Sequence, residues 1–359
     1  MRNQMRLLID ILTPKQALFL GELTKRLMET GHIVHVTSRK FNETLQMIER
    51  KNIHAEIIGE YGKNKYEKLI KSLDRASKIS DLIHDLKIDL TISFSSVEAA
   101  RASFGLSIPH ICISDSPHAE AVSRLTIPLS KKLFTPKIIP IREWTKYGIH
   151  PKNIIRYNAL DPIVWIKDFK PKKDDLALLQ LDFNKKIITI RLEEHFAAYL
   201  LDRSSDHFMI IKVIRKLLEK DHDIQIVILP RYEEQFNILK KNFKDEVLIP
   251  SRMIYAPSIL SYSDLFIGGG GTMTAEASLL GIPTVSYFPG RTTCVDQFLS
   301  KHGMIMRTKD PKNIVNWSVK ALFDKTLKEK LKKKANYLKD KMEDPLKIIL
   351  NELKLMQLI

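Results

Sequence analysis

Short apolar runs alternate with helical stretches along the whole chain, and few folds accept that alternation. Apolar runs at 5–11, 33–37, 56–58, 90–94 and 110–113 each precede a stretch of helical period, at 15–29, 41–51, 65–86, 97–104 and 118–129. A strand–helix series of this kind gives a parallel sheet with helices on both faces. Gly31 stands between the first helix and the second strand, where a C-cap belongs. From 128 to 171 the sequence turns irregular and richer in proline, which predicts the end of a first domain and a linker. The alternation then resumes, with runs at 186–190, 224–229 and 247–249 and helices at 206–220 and 232–243. A glycine-rich unit, a run at 304–306 and helices at 314–322, 325–341 and 346–355 follow. The expectation is an α/β chain of two doubly wound, Rossmann-like parallel-sheet domains facing a cleft. They cover 1–160 and 161–345, and a last helix in 346–359 packs back on the first. A length of 359 residues suits two domains, and ligands of such sheets sit at the carboxyl ends of the strands.

The stretch from Leu265 to Gly290 carries the strongest functional signal. An apolar run, Leu265-Phe-Ile267, enters four glycines, Gly268 to Gly271, and then a helix opened by Thr272. Glycines at Gly269, Gly270 and Gly271 let the backbone approach a ligand, and the helix directs its N–H groups at an anion, most often a phosphate. Glu276 follows one turn in, where a carboxylate accepts hydrogen bonds from a ribose or sugar hydroxyl. Gly281 caps the helix and Pro283 opens the next strand.

Other candidates stand just after predicted strands. Asp10 and Lys15 follow the first, and Lys15 suits a phosphate as well as it suits open surface. Ser95, Ser96 and Glu98 follow the fourth, with the serines placed to cap a helix. Ser114-Asp-Ser-Pro-His118 follows the fifth, which puts Asp115 and His118 at the domain mouth as candidate bases. Asp115 is equally placed to cap the next helix. In the second domain, Arg191 and Arg231 end strands at positions from which a diphosphate is gripped in bidentate fashion. No His, Cys and carboxylate cluster has metal-ligand spacing, and no Walker or Gly-x-Ser-x-Gly pattern occurs, so neither a metal nor a cofactor is expected.

The net charge of +16 asks for a reason. About half of the excess lies beyond Lys301, notably Lys328, Lys330, Lys332, Lys333 and Lys334 on helical sequence. A solvated helix face and an anionic membrane surface both account for it. A second candidate for membrane contact is 125–144, where Leu129, Leu133 and Phe134 mix with Lys131, Lys132 and Lys137. Nucleic acid is not an expected partner, because no zinc, helix-turn-helix or RNP-like signature occurs. The chain enters a strand at once, no apolar run approaches the ~20 residues of a membrane span, and Cys112 and Cys294 fall in different domains. A cytoplasmic protein with free thiols, at most peripheral to the inner face of the membrane, is expected.

The glycine-rich turn, the helix with Glu276 and the Gly281-Ile-Pro283 step resemble the donor-nucleotide motif of GT-B glycosyltransferases. Asp296-Gln297 resembles the pair with which such enzymes hold donor-sugar hydroxyls, four residues farther from Pro283 than in the plant-type box. Over nearly its full length the chain resembles the domain of unknown function 354 family of GT-B proteins. The carrying landmarks are Asp10 with Thr13-Pro14, Ser114 to His118, Arg191, Leu229-Pro-Arg231 and Gly269 to Ala277. The resemblance implies a GT-B-like fold and a metal-independent transferase. Its donor is a nucleotide-diphosphate sugar, a UDP-sugar before others, and its acceptor a glycan or lipid-linked group. The non-hydrolysing UDP-N-acetylglucosamine 2-epimerases share that fold. They carry His-Arg-Arg-Glu-Asn where this chain has Arg191-Leu-Glu-Glu-His195. An isomerase and a nucleotide-sugar-binding protein without catalysis are the alternatives.

Overall fold

The computed structural model describes residues 4–62, 64–193, 207–220, 223–288 and 290–359. The chain divides into two compact units, Met1–Trp165 with Glu343–Ile359, and Ile166–Met342. In the first, β1 (Arg6–Ile11), α1 (Pro14–Glu29), β2 (Ile33–Lys40), α2 (Asn42–Arg50), β3 (Glu56–Glu60) and α3 (Lys65–Asp85) come in order. They are followed by β4 (Leu90–Ser93), α4 (Val97–Gly105), β5 (His110–Ile113), α5 (Glu120–Thr126), β6 (Lys132–Pro136), α6 (Arg142–Thr145), β7 (Ile154–Tyr157) and α7 (Ile163–Ile166). The second unit runs β8 (Lys186–Arg191), α8 (His207–Leu218), β9 (Ile224–Leu229), α9 (Glu233–Phe243), α10 (Ala256–Ser261), β10 (Leu265–Gly268) and α11 (Gly271–Leu279). It continues through β11 (Thr284–Ser286), α12 (Cys294–Lys301), β12 (Met306–Arg307), α13 (Pro311–Phe323) and α14 (Lys325–Lys341). α15 (Pro345–Leu355) returns to the first unit.

Both sheets are parallel, ordered β3-β2-β1-β4-β5-β6-β7 and β12-β11-β10-β8-β9. Their central strands are apolar on both faces because helices cover both: Leu7, Leu8, Ile9 and Ile11 of β1 are fully buried. In the second unit Ile188 and Ile190 pack into one core layer while Ile187, Val227 and Leu229 pack into another. Chain order reverses beside β1 in the first sheet and between β8 and β10 in the second, and such reversals open the crevices where ligands bind. α15 docks through the buried Leu346, Ile349 and Leu353, with Arg26 Nη1 2.7 Å from Asp344 Oδ2 and Lys132 Nζ 3.1 Å from Glu352 Oε1.

Three expectations are corrected here. The proline-rich 128–171 is no plain linker, since it supplies β6 and β7 to the first sheet. Leu133 and Phe134, read as membrane-facing, are fully buried in β6 and cannot enter a lipid surface. The run 247–249 gives only an isolated bridge, Val227 to Leu248.

Candidate functional site

Four strands of the second unit end around one backbone turn. Gly269 N donates to Arg191 O (2.9 Å), and Tyr287 N donates to Gly268 O (2.9 Å). A Cβ at Gly269 would lie 2.7 Å from Glu193 N and 2.8 Å from the Tyr287 hydroxyl, so this glycine is required by close packing. A Cβ at Gly270 would meet Arg231 Nη2 at 2.9 Å, which places that guanidinium against the turn. At Gly271 nothing lies within 4 Å, so this glycine is spared a side chain for a reason other than crowding by described neighbours. Helix α11 begins at Gly271 with Gly270 as its N-cap, one residue ahead of the expected Thr272, and no side chain caps it. Its first N–H groups and its positive dipole end face the turn without a side-chain cap, a setting that suits an anion.

Both predicted arginines are held near that turn by backbone carbonyls. Arg191 Nη1 donates to Pro230 O (2.9 Å), and Arg231 Nε donates to Leu192 O (3.0 Å). Gln235 braces the loop, accepting from Arg231 N (2.8 Å) and donating to Glu193 O (3.1 Å). The Tyr287 hydroxyl donates to Glu193 Oε2 (2.8 Å). Burial and the Glu193 carboxylate push the Tyr287 phenol well up, against the pull of both arginines, so it stays a donor at any working pH. Glu276 is buried within α11 at 1% exposure, and Thr272 is partly buried.

Asp296 and Gln297 part company, since successive helical positions lie about 100° apart. Gln297 is exposed, while Asp296 is buried at 1% exposure and neither carboxylate oxygen has a hydrogen-bond partner among the described residues. Burial raises its carboxyl above the usual range, although Arg307 pulls it down. Glu194 and His195 lie outside the described residues.

In the first unit Lys15 joins two carboxylates that stand far apart in sequence. Its Nζ is 2.5 Å from Asp115 Oδ2 and 2.7 Å from Asp161 Oδ2, and lies 4.4 Å over the Phe94 ring. Ser116 Oγ donates to Asp115 Oδ1 (2.8 Å), and Tyr157 OH donates to Asp161 Oδ1 (2.7 Å). Burial penalises the Lys15 charge, but the two carboxylates outweigh it and raise its pKa. Asp115 is held below its ordinary value: burial raises it, and Lys15 and Ser116 more than offset that. Asp161 goes the other way, pushed up to about 6 by burial and by Asp115 despite Lys15. His118 is exposed, yet partial loss of water, Lys15 and Lys146 lower its pKa against the pull of Asp115, leaving it neutral at pH 7.

Asp10 and Glu98, expected to face a substrate, serve the interior instead. Asp10 is fully buried, takes both terminal nitrogens of Arg75 and accepts from Thr37 Oγ1 (2.7 Å). Glu98 accepts from Ser72 Oγ (2.8 Å) and Ser96 Oγ (3.2 Å), with Arg75 Nη1 at 3.6 Å. Sequence reading did not single out Arg75, Asp161, Tyr157, Gln235 or Tyr287. Tyr287 directly follows β11, whereas Asp161 follows β7, a strand the sequence pattern does not reveal.

Among the described residues, no group of three or more His, Cys, Asp and Glu side chains is arranged to hold a metal ion. The fold has known relatives. The chain aligns with UDP-N-acetylglucosamine 2-epimerase from Neisseria meningitidis, solved with UDP-GlcNAc, at a TM-score of 0.77 and 18% identity, covering 97% of this chain and 99% of that one. It aligns with Alr3699/HepE of Anabaena, solved with UDP and glucose, at a TM-score of 0.68 and 15% identity, covering 99% and 100%. These likenesses establish a GT-B-like fold of two parallel-sheet α/β domains. In sequence the chain is 30% identical to uncharacterized protein MJ0665 of Methanocaldococcus jannaschii over 313 residues, 86% of this chain and 89% of that protein. The model of the family described as protein of unknown function DUF354 matches residues 5–355, and the chain belongs to that family.

Proposed function

We propose that this protein is a metal-independent glycosyltransferase that takes its sugar from a nucleotide diphosphate, with UDP-sugars the first donors to test. One observation carries the reading: Arg231 rests against the glycine turn at the uncapped N-terminus of α11, with Arg191 anchored beside it. Charge developing on a leaving diphosphate is stabilised there by preoriented N–H groups and guanidinium donors. Thr272 adds a hydroxyl to this set. Glu276 holds the ribose, and Asp296, a buried carboxyl without a donor among its described neighbours, takes a hydroxyl of the sugar. In the first unit the Lys15, Asp115 and Asp161 group handles the acceptor proton. Asp115 is its more open carboxylate, at 21% side-chain exposure, and receives the proton; Asp161 holds a share of it near neutral pH. His118, neutral and adjacent, is the other base to test. The acceptor is a glycan or a lipid-linked group.

The likeness to 2-epimerases supports a second reading, an isomerase that uses the same nucleotide cradle and the same carboxylates without an acceptor. Incubation with UDP-, GDP- and dTDP-sugars, with and without lipid-phosphate acceptors, separates the two. Acceptor-dependent release of nucleotide diphosphate identifies the transferase, and an acceptor-free change of sugar identifies the isomerase. Binding without turnover overturns both in favour of a binding protein.

A further inference from the structure

The first unit carries a second set of cations that none of these steps uses. Arg39 lies near the carboxyl end of β2, Tyr61 follows β3 by one residue, and Lys68 stands in the first turn of α3. The Arg39 guanidinium lies 4.5 Å and the Lys68 ammonium 4.8 Å from the centroid of the Tyr61 ring, with the Phe41 ring 5.7 Å from it. All of this sits at the carboxyl edge of the sheet, where open α/β sheets take ligands.

Arg39 is short of partners. Its Nε is buried and makes no hydrogen bond among the described residues. Burial lowers its pKa even though Glu98, Tyr61 and Asp10 favour the charge, and Arg75 opposes it. Those carboxylates are already engaged: Asp10 with Arg75 and Thr37, Glu98 with Ser72, Ser96 and the charge of Arg75. A buried donor left unsatisfied is costly, and a planar guanidinium is satisfied best by an oxyanion that accepts in its plane. We propose that Arg39 and Lys68, set over Tyr61, form a phosphate-binding subsite of the first unit. On the transferase reading, on which only the ligand's role rests, this phosphate belongs to the acceptor. Two sources share the chemistry, a soluble sugar phosphate and a lipid-borne phosphate.

Calorimetric titration of the full chain with inorganic phosphate tests the site. Arg39→Gln and Lys68→Gln are each expected to weaken one class of phosphate binding about tenfold while UDP affinity stays at the wild-type value. Arg231→Gln is expected to do the reverse. Wild-type phosphate binding in both first-unit variants overturns the proposal. If Arg39→Gln fails to fold, Lys68→Gln alone decides, since Lys68 is partly exposed. Failure of UDP to bind the wild type would overturn the nucleotide reading and leave this subsite standing. Displacement of phosphate by glucose 1-phosphate, lost in Arg39→Gln, identifies a soluble ligand. Recruitment to vesicles of phosphatidic acid in phosphatidylcholine, lost in the same variant, identifies a lipid.

Discussion

Asp10 and Arg75, both almost fully buried, show how far a side chain's role depends on a partner that sequence does not name. Burial works to raise the Asp10 pKa, but the charge and hydrogen bonds of Arg75, with Ser96 and Thr37, hold it below the ordinary value. The folded pKa is therefore the lower one. The pair's contribution is fully present above the unfolded value of about 3.9 and is lost as pH falls through the folded value. Arg75→Met leaves a buried charge unmatched and should cost about 3–5 kcal/mol in denaturant unfolding, with much of it recovered in Arg75→Met/Asp10→Asn. An additive double mutant would refute the pairing. Glu276→Ala should leave the fold intact and weaken nucleotide-diphosphate binding by about 1–3 kcal/mol in calorimetry. Asp115→Asn should lower turnover by about 100-fold or more with donor binding unchanged, and full activity would pass the base to His118. Asp161, at about 6, predicts a limb of kcat/KM that rises with pH near 6 in the wild type and flattens in Asp161→Asn.

At the scale of elements, the glycine turn separates structure from function position by position. Gly271 has open space where a Cβ would go, so Gly271→Ala should melt no lower than the wild type, since alanine suits a helix better by about 0.5–1 kcal/mol. If a phosphate occupies that space, the variant loses nucleotide affinity while its stability holds. Unchanged affinity would make the turn merely structural. Gly270→Val should displace Arg231 and cost at least about tenfold in affinity, roughly 1.4 kcal/mol. The alternation of apolar runs and helices made β1 to β5, β8 to β11 and most helices readable. β6 and β7 stayed hidden because Lys132 opens β6 and Pro136 ends it, while Arg156 interrupts β7. Losing β7 also hid Asp161, whose meeting with Lys15 spans most of the first unit's sequence. Arg191 was legible because it ends β8, and Arg231 because it follows β9 by two residues; the Tyr287 and Gln235 braces were not, because their shared partner Glu193 lies far from both in sequence.

The whole molecule's charge of +16 is distributed more selectively than the sequence implies. Of the lysines in α14, Lys328 pairs with Asp264 (2.6 Å), and Lys334 donates to His302 O (2.9 Å). Lys330, Lys332 and Lys333 are exposed, beside a Tyr337 that is 63% exposed. No helix among the described residues is long and apolar enough to cross a membrane. With Leu133 and Phe134 buried, α14 is the stretch on which to test the proposed contact with an anionic surface. Each lysine near an anionic surface contributes about 1 kcal/mol, screened over about 8–10 Å. Co-sedimentation with phosphatidylglycerol vesicles should therefore be strong at low salt, weak at moderate salt and weak on neutral vesicles. Substitution of Lys330, Lys332 and Lys333 by glutamine should remove about 3 kcal/mol of it, more than a hundredfold in partition. Wild-type protein that stays in the supernatant at low salt would leave the charge a solvated helix face and direct the search to soluble acceptors.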